Sequence, residues 1–255
     1  MTVRRIYPDP QRRFVAVVEA RMTSTRLPGK VLLPVLDRPI LGHLLDRLAL
    51  VESLAETVVA TTVNHSDDVI HDYCSTRDVE CFRGSEEDVL GRVLGAARLA
   101  KATDIVEVTG DCPLVDPELV EQAIRIHVAN SAEFTTNCDI RSYPDGFDIQ
   151  VFQTDALARS ASQSLTCLER EHVTLHMRRH PELFKTLHIV APPGLHRPDL
   201  ALTLDEVSDY ELLKTVIGAL GTSSLNYSCS DVLTFLDNNP EYLDVNSHVQ
   251  RKGDS

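Results

Sequence analysis

Apolar runs with the length of strands alternate, in the first half of the chain, with segments whose apolar residues recur at helical spacing. This alternation is typical of parallel β-α-β units. We therefore expect an α/β protein with a Rossmann-like mixed, mostly parallel sheet and helices on both faces. The predicted strands are Phe14–Val18, Thr57–Thr61, Val79–Phe82 and Asp104–Thr109, and the predicted helices are Pro39–Val51, one opening at Ser66, one from an N-cap at Ser85 to about Ala100, and one opening at Asp116.

The pattern changes at Glu133, where strands and turns replace the regular alternation. The sequence Tyr143-Pro144-Asp145-Gly146 is a strong turn signal between two apolar runs and predicts a β-hairpin. Residues 133–190 thus form a predicted hairpin and helix insertion in a single domain over residues 1–240, followed by a flexible polar tail over 241–255. The elements predicted here are strands Glu133–Asn137, Phe147–Gln153 and Lys185–Val190, a helix carrying Glu171, His172 and His176, a strand ending at Asp205, and a last helix near Val207–Leu220.

Composition and charge exclude several classes of partner. The chain has 25 Lys and Arg against 38 Asp and Glu, a formal net charge of −13, which argues against binding of nucleic acid or an anionic membrane surface. No apolar run approaches the about 18 residues that span a bilayer, and Glu19 interrupts the apolar stretch that a signal peptide would need. The six cysteines are scattered without a CxxC pair, which is typical of a cytoplasmic protein.

The segment Ala20–Lys30, with the sequence ARMTSTRLPGK, directly follows the first predicted strand. Ligands of open α/β sheets bind beyond the carboxyl ends of strands, and this loop offers three cations, three hydroxyls and a glycine. We therefore interpret it as a phosphate-binding loop, although a solvated basic surface loop has the same composition. The loop contains neither a Walker A motif nor a GxGxxG dinucleotide fingerprint.

Two aspartates at the ends of apolar segments are candidate cation ligands. Asp111 follows the strand Asp104–Thr109, and Asp205 follows the run Leu202-Thr203-Leu204. Either residue alone is more simply explained as a turn or helix-capping aspartate. Together, opposite a phosphate loop, they are typical of a site for a metal ion and a nucleotide.

A second metal arrangement is considered at His172 and His176, whose spacing would place both side chains on one face of a helix, as in zinc sites. The segment is not an HExxH motif, and no third ligand lies nearby in the sequence. A role in a substrate pocket or in the core is therefore favoured over zinc binding.

Taken together, these segments resemble the cytidylyltransferases that make CMP-activated sugars. The chain is similar to CMP-ketodeoxyoctulosonate synthetase, and more so to the spore-coat-polysaccharide (SpsF-type) branch. The resemblance covers about Val15 to Leu220, and the motifs follow one order. They are the phosphate loop, FRGSEEDVLGR over Phe82–Arg92, the DCPL segment at Asp111, YPDG followed by an apolar residue and Asp148, EREHVT over Glu169–Thr174, and the apolar segment before Asp205.

The resemblance implies a CTP-dependent nucleotidyltransferase in which an acceptor oxygen attacks the α-phosphorus of CTP and pyrophosphate leaves. It implies Mg²⁺ held by Asp111 and Asp205, and charge stabilisation by Arg21 and Lys30, these four being the expected catalytic residues. The expected nucleotide-binding residues are Ala20, Arg21, Ser24, Thr25, Arg26, Lys30, Thr62, Arg83, Gly84 and Ser85. The expected acceptor-binding residues are Tyr143, Asp145, Asp148, Gln150, Glu169, Glu171 and His172.

The chain departs from the family pattern at three places. Glu19 replaces a frequent Gln, Thr23 replaces a small residue, and the Arg-Trp pair common in SpsF-type relatives before the last aspartate is missing. The expected acceptor is a keto-sugar acid for polysaccharide biosynthesis, with a small phosphonate or phosphate as the alternative. A nucleotide-binding scaffold that has lost catalysis and a glycosyltransferase are further alternatives. The resemblance also implies a homodimer, with the hairpin of residues 133–190 at the contact.

Overall fold

The computed structural model of the chain describes residues 12–222 and 224–251. It contains a seven-stranded sheet, a two-stranded ribbon and helices on both faces of the larger sheet. The strands are β1 (Phe14–Glu19), β2 (Pro34–Val35), β3 (Arg38–Pro39), β4 (Leu54–Thr62), β5 (Glu80–Gly84), β6 (Asp104–Thr109), β7 (Phe134–Thr136), β8 (Gln150–Gln153) and β9 (Thr186–His188). The α-helices are α1 (Ile40–Leu48), α2 (Asp68–Thr76), α3 (Val89–Leu99), α4 (Pro117–Ala129), α5 (Thr154–Ala161), α6 (Cys167–Glu171), α7 (Leu175–Arg179), α8 (Val207–Leu220) and α9 (Cys229–Asn238).

The large sheet has the order β5-β4-β1-β6-β8-β7-β9. Its first four strands are parallel, β8 runs antiparallel to β6 and to β7, and β9 is parallel to β7. The predicted fold class, a mixed and mostly parallel α/β sheet, is therefore confirmed. Because β1 is central, its carboxyl end and that of β6 form the middle of one sheet edge, where open α/β sheets bind their ligands.

Strand β1 is apolar throughout because both of its faces are covered. Its side chains alternate between two core clusters: Phe14, Ala16 and Val18 pack with α1, α2 and α4, whereas Val15 and Val17 pack with α3 and α5. A third cluster joins α8 and α9 to the segment between β7 and β8. The sheet that carries the site is thus held from both sides.

Helix α3 begins later than its predicted N-cap. The Ser85 hydroxyl oxygen accepts a hydrogen bond from the Glu87 N–H, outside the helix, whereas the Asp88 side chain caps the helix by accepting from the Gly91 N–H at 3.0 Å. The capping residue is therefore Asp88, and the Ser85 prediction is wrong. A carboxylate at this position also suits the positive end of the helix dipole.

The turn at Tyr143–Gly146 does not join two paired strands directly. Strands β7 and β8 are shorter than predicted and are linked by residues 137–149, with the turn in the middle of that connection. Asp145 instead bridges to Ala201, and Gly146 has φ +102° with space for no Cβ, because one would lie 2.6 Å from the Leu202 carbonyl carbon. Residues 202–204, predicted as a strand, form no ladder beyond that bridge at Ala201.

The helix predicted to carry Glu171, His172 and His176 is two short helices. His172 has extended backbone angles, φ −104° and ψ 92°, which end α6 and start a new direction for α7. His172 and His176 therefore do not share one helical face, and His176 Nδ1 lies 3.0 Å from Ser160 Oγ in the interior. The shared helical face on which a zinc site at this pair would depend is therefore absent.

The carboxyl-terminal residues up to 251 pack on the domain. Helix α9 was not predicted from the sequence, and after it Asn246 is buried and donates to Asp209 Oδ1 at 2.7 Å. Arg251 forms ion pairs with Asp209 and Asp205. The flexibility expected of residues 241–255 does not fit these contacts of 241–251, and residues 252–255 lie outside the described part. No helix among residues 12–222 and 224–251 is long and apolar enough to cross a membrane.

Candidate active site

A cavity of about 440 Å³ opens at the carboxyl ends of β1 and β6. The structure brings the predicted phosphate loop, both predicted metal ligands and two predicted acceptor residues to it. A larger cavity, about 600 Å³, lies between α1, α2 and the β4–β5 edge, but none of the predicted site residues lines it. The predicted residues that line the smaller cavity are Ala20, Arg21, Ser24, Thr25, Arg26, Lys30, Asp111, Glu171, His172 and Asp205.

The phosphate loop is closed at its base by main-chain hydrogen bonds. The Gly29 N–H donates to the Met22 carbonyl at 2.9 Å, and Gly29 has φ +73°, a conformation that favours glycine. The Met22 N–H donates to the carboxylate of Asp67, which is fully buried at the start of α2. These contacts fix both ends of the loop, so that its cations and hydroxyls project from a firm frame into the cavity.

Lys30 lies between the two predicted metal ligands. Its ammonium contacts Asp111 Oδ2 at 2.6 Å and Asp205 Oδ1 at 3.2 Å, and it donates to the Leu204 carbonyl at 2.6 Å. Burial disfavours the charged form of Lys30, but the attraction and hydrogen bonds of the two carboxylates outweigh it and raise the Lys30 pKa. Burial likewise opposes the charge of Asp111, and Lys30 reverses the effect and lowers the Asp111 pKa. Lys30 and Asp111 are thus both charged at neutral pH.

Asp205 forms ion pairs with two further cations. Arg26 lies 2.7 Å from Asp205 Oδ1, and Arg251 lies 3.3 Å from Asp205 Oδ2. The Asp205 main-chain N–H donates to Asp209 Oδ2 at 2.9 Å, which fixes the position of the residue at the start of α8. Three cations, Lys30, Arg26 and Arg251, thus surround Asp205, and two of them, Lys30 and Arg26, line the cavity.

The geometry of Asp111 and Asp205 fits a hard cation with few protein ligands. Their oxygens converge on one point, where a cationic ammonium lies, so the position already stabilises positive charge. Within the described chain no group of three or more His, Cys, Asp or Glu side chains could hold a metal ion. Mg²⁺ is commonly bound by one or two carboxylates together with substrate phosphates and water, which matches this pair.

Arg21 is positioned by an acid that the sequence analysis did not select. Glu86 Oε1 lies 3.4 Å from the Arg21 guanidinium and accepts a hydrogen bond from Thr23, and Glu86 Oε2 accepts from Asn64 at 2.6 Å. The side chain of Glu86 therefore joins the phosphate loop to the end of β4. Arg21 lines the cavity, and its contact with Glu86 restricts the orientation of its guanidinium.

Four of the expected nucleotide-binding residues do not line the cavity: Thr62, Arg83, Gly84 and Ser85. Thr62 donates to buried Asp67, and the Arg83 guanidinium is engaged with the Thr62 and Asn64 carbonyls and with Asp68. The contact of these four residues with the nucleotide stays a prediction.

Gly84 and Ser85 are connected to the cavity by Arg92, which lines it. A Cβ on Gly84 would lie 2.8 Å from Arg92 Cγ, and Arg92 donates to the Ser85 carbonyl at 2.6 Å. Sequence reasoning missed Arg92, since an arginine within a helix is usually a surface residue.

Most predicted acceptor residues outside the cavity are engaged elsewhere. Tyr143 is buried in the third core cluster, and Glu169 is occupied in a capping box with Thr166. Asp145 and Asp148 both face Arg141, at 3.4 and 3.6 Å, and burial together with Asp145 raises the pKa of Asp148 to about 7. Glu171 and His172 therefore line the cavity, whereas these four residues do not.

Gln150 is linked to a buried acid that sequence reasoning missed. Its amide donates to Glu107 Oε2 at 2.9 Å, and its carbonyl oxygen accepts from the Thr174 hydroxyl at 2.6 Å. Glu107 in turn neighbours Glu19, which lines the cavity. The signal for both acids was present in the sequence, because each interrupts or ends an apolar strand at a position that faces the interior.

Comparisons with known proteins identify the family of the chain. A family model described as "Cytidylyltransferase" matches residues 15–222. The spore coat polysaccharide biosynthesis protein SpsF of Bacillus subtilis is 34% identical over 230 residues, covering 88% of this chain and 94% of that protein. A 3-deoxy-manno-octulosonate cytidylyltransferase of Geobacter metallireducens is 30% identical over 120 residues, 47% of this chain and 46% of that protein. The structure of a cytidylyltransferase from Leptospira borgpetersenii superposes with a TM-score of 0.87 at 32% identity, covering 95% of this chain and 100% of that one. The family resemblance inferred from the sequence is confirmed.

Proposed function

Because the chain belongs to the cytidylyltransferase family, we propose that it transfers CMP from CTP to an oxygen of a small acceptor, with release of pyrophosphate. The acceptor oxygen forms a bond to the α-phosphorus of CTP. The bond from the α-phosphorus to the oxygen bridging to the β-phosphorus breaks, and its electron pair leaves with pyrophosphate. Where the acceptor is a hydroxyl, its proton passes to water as the new bond forms, whereas a phosphonate or phosphate oxygen is already an anion.

The observation that carries this proposal is the Lys30–Asp111–Asp205 cluster beside the phosphate loop. Arg21, Arg26 and Lys30 face the same cavity within one loop, which suits a triphosphate with charge on all three phosphates. As pyrophosphate departs, negative charge builds on its oxygens, and Lys30 and Arg21 stabilise that charge. Such contacts also hold the α-phosphorus in line with the attacking oxygen.

Asp111 and Asp205 are the residues that would hold Mg²⁺, given the convergence of their oxygens. When bound, the metal ion supplies charge neutralisation and polarisation at the phosphoryl oxygens. Lys30 contacts both carboxylates, so its ammonium competes with a cation for the same oxygens. We propose that Lys30 turns toward the triphosphate when nucleotide and metal bind, which exchanges one set of ion pairs for another.

For the acceptor, the proposal is a keto-sugar acid used in polysaccharide biosynthesis. Support comes from the similarity to the SpsF protein and from the two sides of the cavity, one with loop cations and one with Glu171 and His172. A small phosphonate or phosphate is the alternative, and the missing Arg-Trp pair removes a cation that an anionic acceptor of either kind could contact. We further propose a cytoplasmic homodimer with residues 133–190 at the contact between subunits.

A scaffold that has lost catalysis and a glycosyltransferase are less well supported. The charged cluster at Lys30 is complete, and the segment after Asp111 offers no DxD acid pair of the kind glycosyltransferases commonly use. Purified protein is incubated with each of the four NTPs, Mg²⁺ and a mixed panel of sugar acids and phosphonates, and pyrophosphate release is measured. We expect release with CTP only, and its loss with EDTA. Equal release from all NTPs, or release unaffected by EDTA, would contradict the proposal.

A further inference from the structure

Two glutamates lie side by side where two central strands end, and one of them, Glu19, lines the cavity. Glu19 is the last residue of β1, and Glu107 is near the end of the neighbouring β6, whose register pairs Val17 with Glu107 and Glu19 with Thr109. The two side chains therefore project from the same face of the sheet, diagonally opposite each other. That face is otherwise apolar, with Val15, Val17 and Ile105 in the core packed against α3.

A hydrogen bond between Glu19 and Glu107 requires a proton on one of the two carboxyl groups. Glu19 Oε1 is buried and has no hydrogen-bond donor among the described residues, and Glu107 is 4% exposed. The two carboxyl groups are close enough to share a hydrogen bond, which requires that one of them be protonated, because two ionised carboxylates have no donor. Burial raises the pKa of both groups, and the raised pKa of Glu107 is reinforced by Glu19. The pKa of Glu107 is raised more strongly than that of Glu19, so Glu107 is the protonated partner that can donate a hydrogen bond from its O–H to the Glu19 carboxylate.

Residues of the 133–190 insertion fix the orientation of the Glu107 carboxyl group. Gln150 at the start of β8 donates to Glu107 Oε2, and the Thr174 hydroxyl donates to Gln150. This leaves Glu107 with one oriented carboxyl oxygen for Glu19. The chain of contacts joins Glu19, which lines the cavity, to the part of the molecule that carries Glu171 and His172.

The charged groups around the pair leave Glu19 as a hydrogen-bond acceptor. Against the effect of burial, electrostatic interactions with Arg92 on α3 and with His172 between α6 and α7 lower the pKa of Glu19, whereas Asp111 after β6 raises it. Arg178 on α7 lowers the pKa of Glu107 in the same way. The Arg92 guanidinium donates to the Ser85 and Glu86 carbonyls. A carboxylate at this position repels phosphate groups and attracts a hydrogen-bond donor or a cation.

We propose that Glu19 is a specificity-determining residue for the acceptor: its carboxylate accepts a hydrogen bond from a hydroxyl or ammonium group at the non-reacting end of the acceptor. Glu107 is the positioning residue that orients Glu19. This inference rests on the proposed cytidylyl transfer and narrows it to acceptors that bear such a donor. The hydroxyls of a sugar acid and the amine of an aminoalkyl phosphonate share this chemistry, whereas a simple alkyl phosphonate lacks it.

The test compares acceptors that differ only in the donor, with CTP and Mg²⁺ at saturation. One arm uses 2-aminoethylphosphonate, 2-hydroxyethylphosphonate and ethylphosphonate, and the other uses 3-deoxy-manno-octulosonate. We expect one arm to be turned over by the wild-type protein, with a donor-bearing acceptor preferred over ethylphosphonate by about tenfold or more in kcat/KM. In Glu19→Met we expect the KM of that acceptor to rise about tenfold or more, while the KM of CTP changes less than about twofold.

A comparison of Glu107→Gln with Glu107→Leu tests whether Glu107 orients Glu19 or only stabilises the fold. The amide of the Gln variant can still donate to Glu19, so we expect acceptor selectivity to be kept, whereas Glu107→Leu loses it. Asp104→Asn is the matched control, because Asp104 is a buried acid at the opposite end of β6, paired with Arg12 and His127. We expect it to lower the free energy of unfolding without changing acceptor selectivity.

Three results would overturn the inference. Glu19→Met could raise the KM of CTP and not that of the acceptor, which would assign Glu19 to cytidine. Ethylphosphonate could be used as well as its donor-bearing analogues, or no acceptor in either arm could be used although CTP binds in calorimetry. Failure of CTP to bind at all would instead contradict the proposed function, and this inference with it.

Discussion

Lys30 Nζ lies 2.6 Å from Asp111 Oδ2, although 81 residues separate the two in the chain. The contact joins the phosphate loop to the end of the neighbouring strand β6, and Asp205 completes the cluster from a third segment. Each charge depends on the others, because burial opposes ionisation of Lys30 and Asp111 alike. A charged cluster of this kind at the carboxyl edge of the sheet is the basis of the proposed reaction.

Replacement of Asp111 by alanine is expected to abolish turnover and leave the fold intact. The variant loses one of two carboxylates that would hold the metal, and we expect kcat/KM to fall by about 10³-fold or more in the pyrophosphate assay. Lys30 keeps Asp205 as a partner, which limits the effect on stability. Asp37→Ala, in the exposed turn between β2 and β3, serves as the control and should retain activity. Turnover near the wild-type rate in Asp111→Ala would show that the metal assignment is wrong.

Replacement of Lys30 by methionine is expected to separate catalysis from metal affinity. The variant lacks a cation that stabilises pyrophosphate, so kcat should fall by about 10²–10³-fold. It also removes the ammonium that competes for Asp111 and Asp205, so Mn²⁺ should bind more tightly to the nucleotide-free protein. Electron paramagnetic resonance of free Mn²⁺ measures the second effect, with Lys214→Met on the exposed face of α8 as the control. Weaker Mn²⁺ binding in Lys30→Met would exclude competition between the ammonium and the metal.

Removal of the Glu107 carboxyl is expected to flatten the dependence of stability on pH. The pKa of Glu107 is raised in the folded state, so the folded protein keeps a proton that the unfolded chain has lost above about pH 4.3. The free energy of unfolding therefore falls as the pH rises from there toward the folded-state pKa.

Glu107→Gln should show a smaller fall between about pH 5 and 8 in urea unfolding. Glu133→Gln is the control, because interactions with Lys185 and Arg159 lower the pKa of Glu133 against the opposing effect of burial. Its contribution is lost only at acidic pH, so the wild-type slope between these values should remain. Parallel curves for Glu107→Gln and the wild type would contradict the protonated state of Glu107.

Asp209 is expected to support both stability and the position of Asp205. Its fully buried carboxylate accepts from the Asp205 and Glu206 N–H groups, Asn246 and Arg251. We expect Asp209→Ala to lower the free energy of unfolding by about 3 kcal/mol or more, since it leaves Arg251 without its buried partner. Asp231→Ala removes the equivalent acid of the more exposed capping box on α9 and should cost about 1 kcal/mol. Equal losses in chemical denaturation would mean that Asp209 acts only as a helix cap.

The sequence predicts the sheet and the cations well because their signals are local. The run Phe14–Val18 is apolar at every position because both faces of β1 are covered, and the loop that follows it holds its cations within a few residues. The pairing of Glu19 with Glu107 depends on the register of β1 against β6, which no local pattern specifies. The break at His172 and the contacts of Arg251 likewise result from tertiary packing rather than from periodicity.

Cytidylyl transfer is tested most directly by following the α- and γ-phosphorus atoms of CTP into the products. The protein is incubated with Mg²⁺, an accepted acceptor and CTP labelled either at the α- or at the γ-phosphorus, and the products are separated. Cytidylyl transfer predicts that the α-label appears in a covalent conjugate of CMP and acceptor, while the γ-label appears in pyrophosphate. A γ-label found in inorganic phosphate or on the acceptor, with the α-label remaining in CDP, would contradict it.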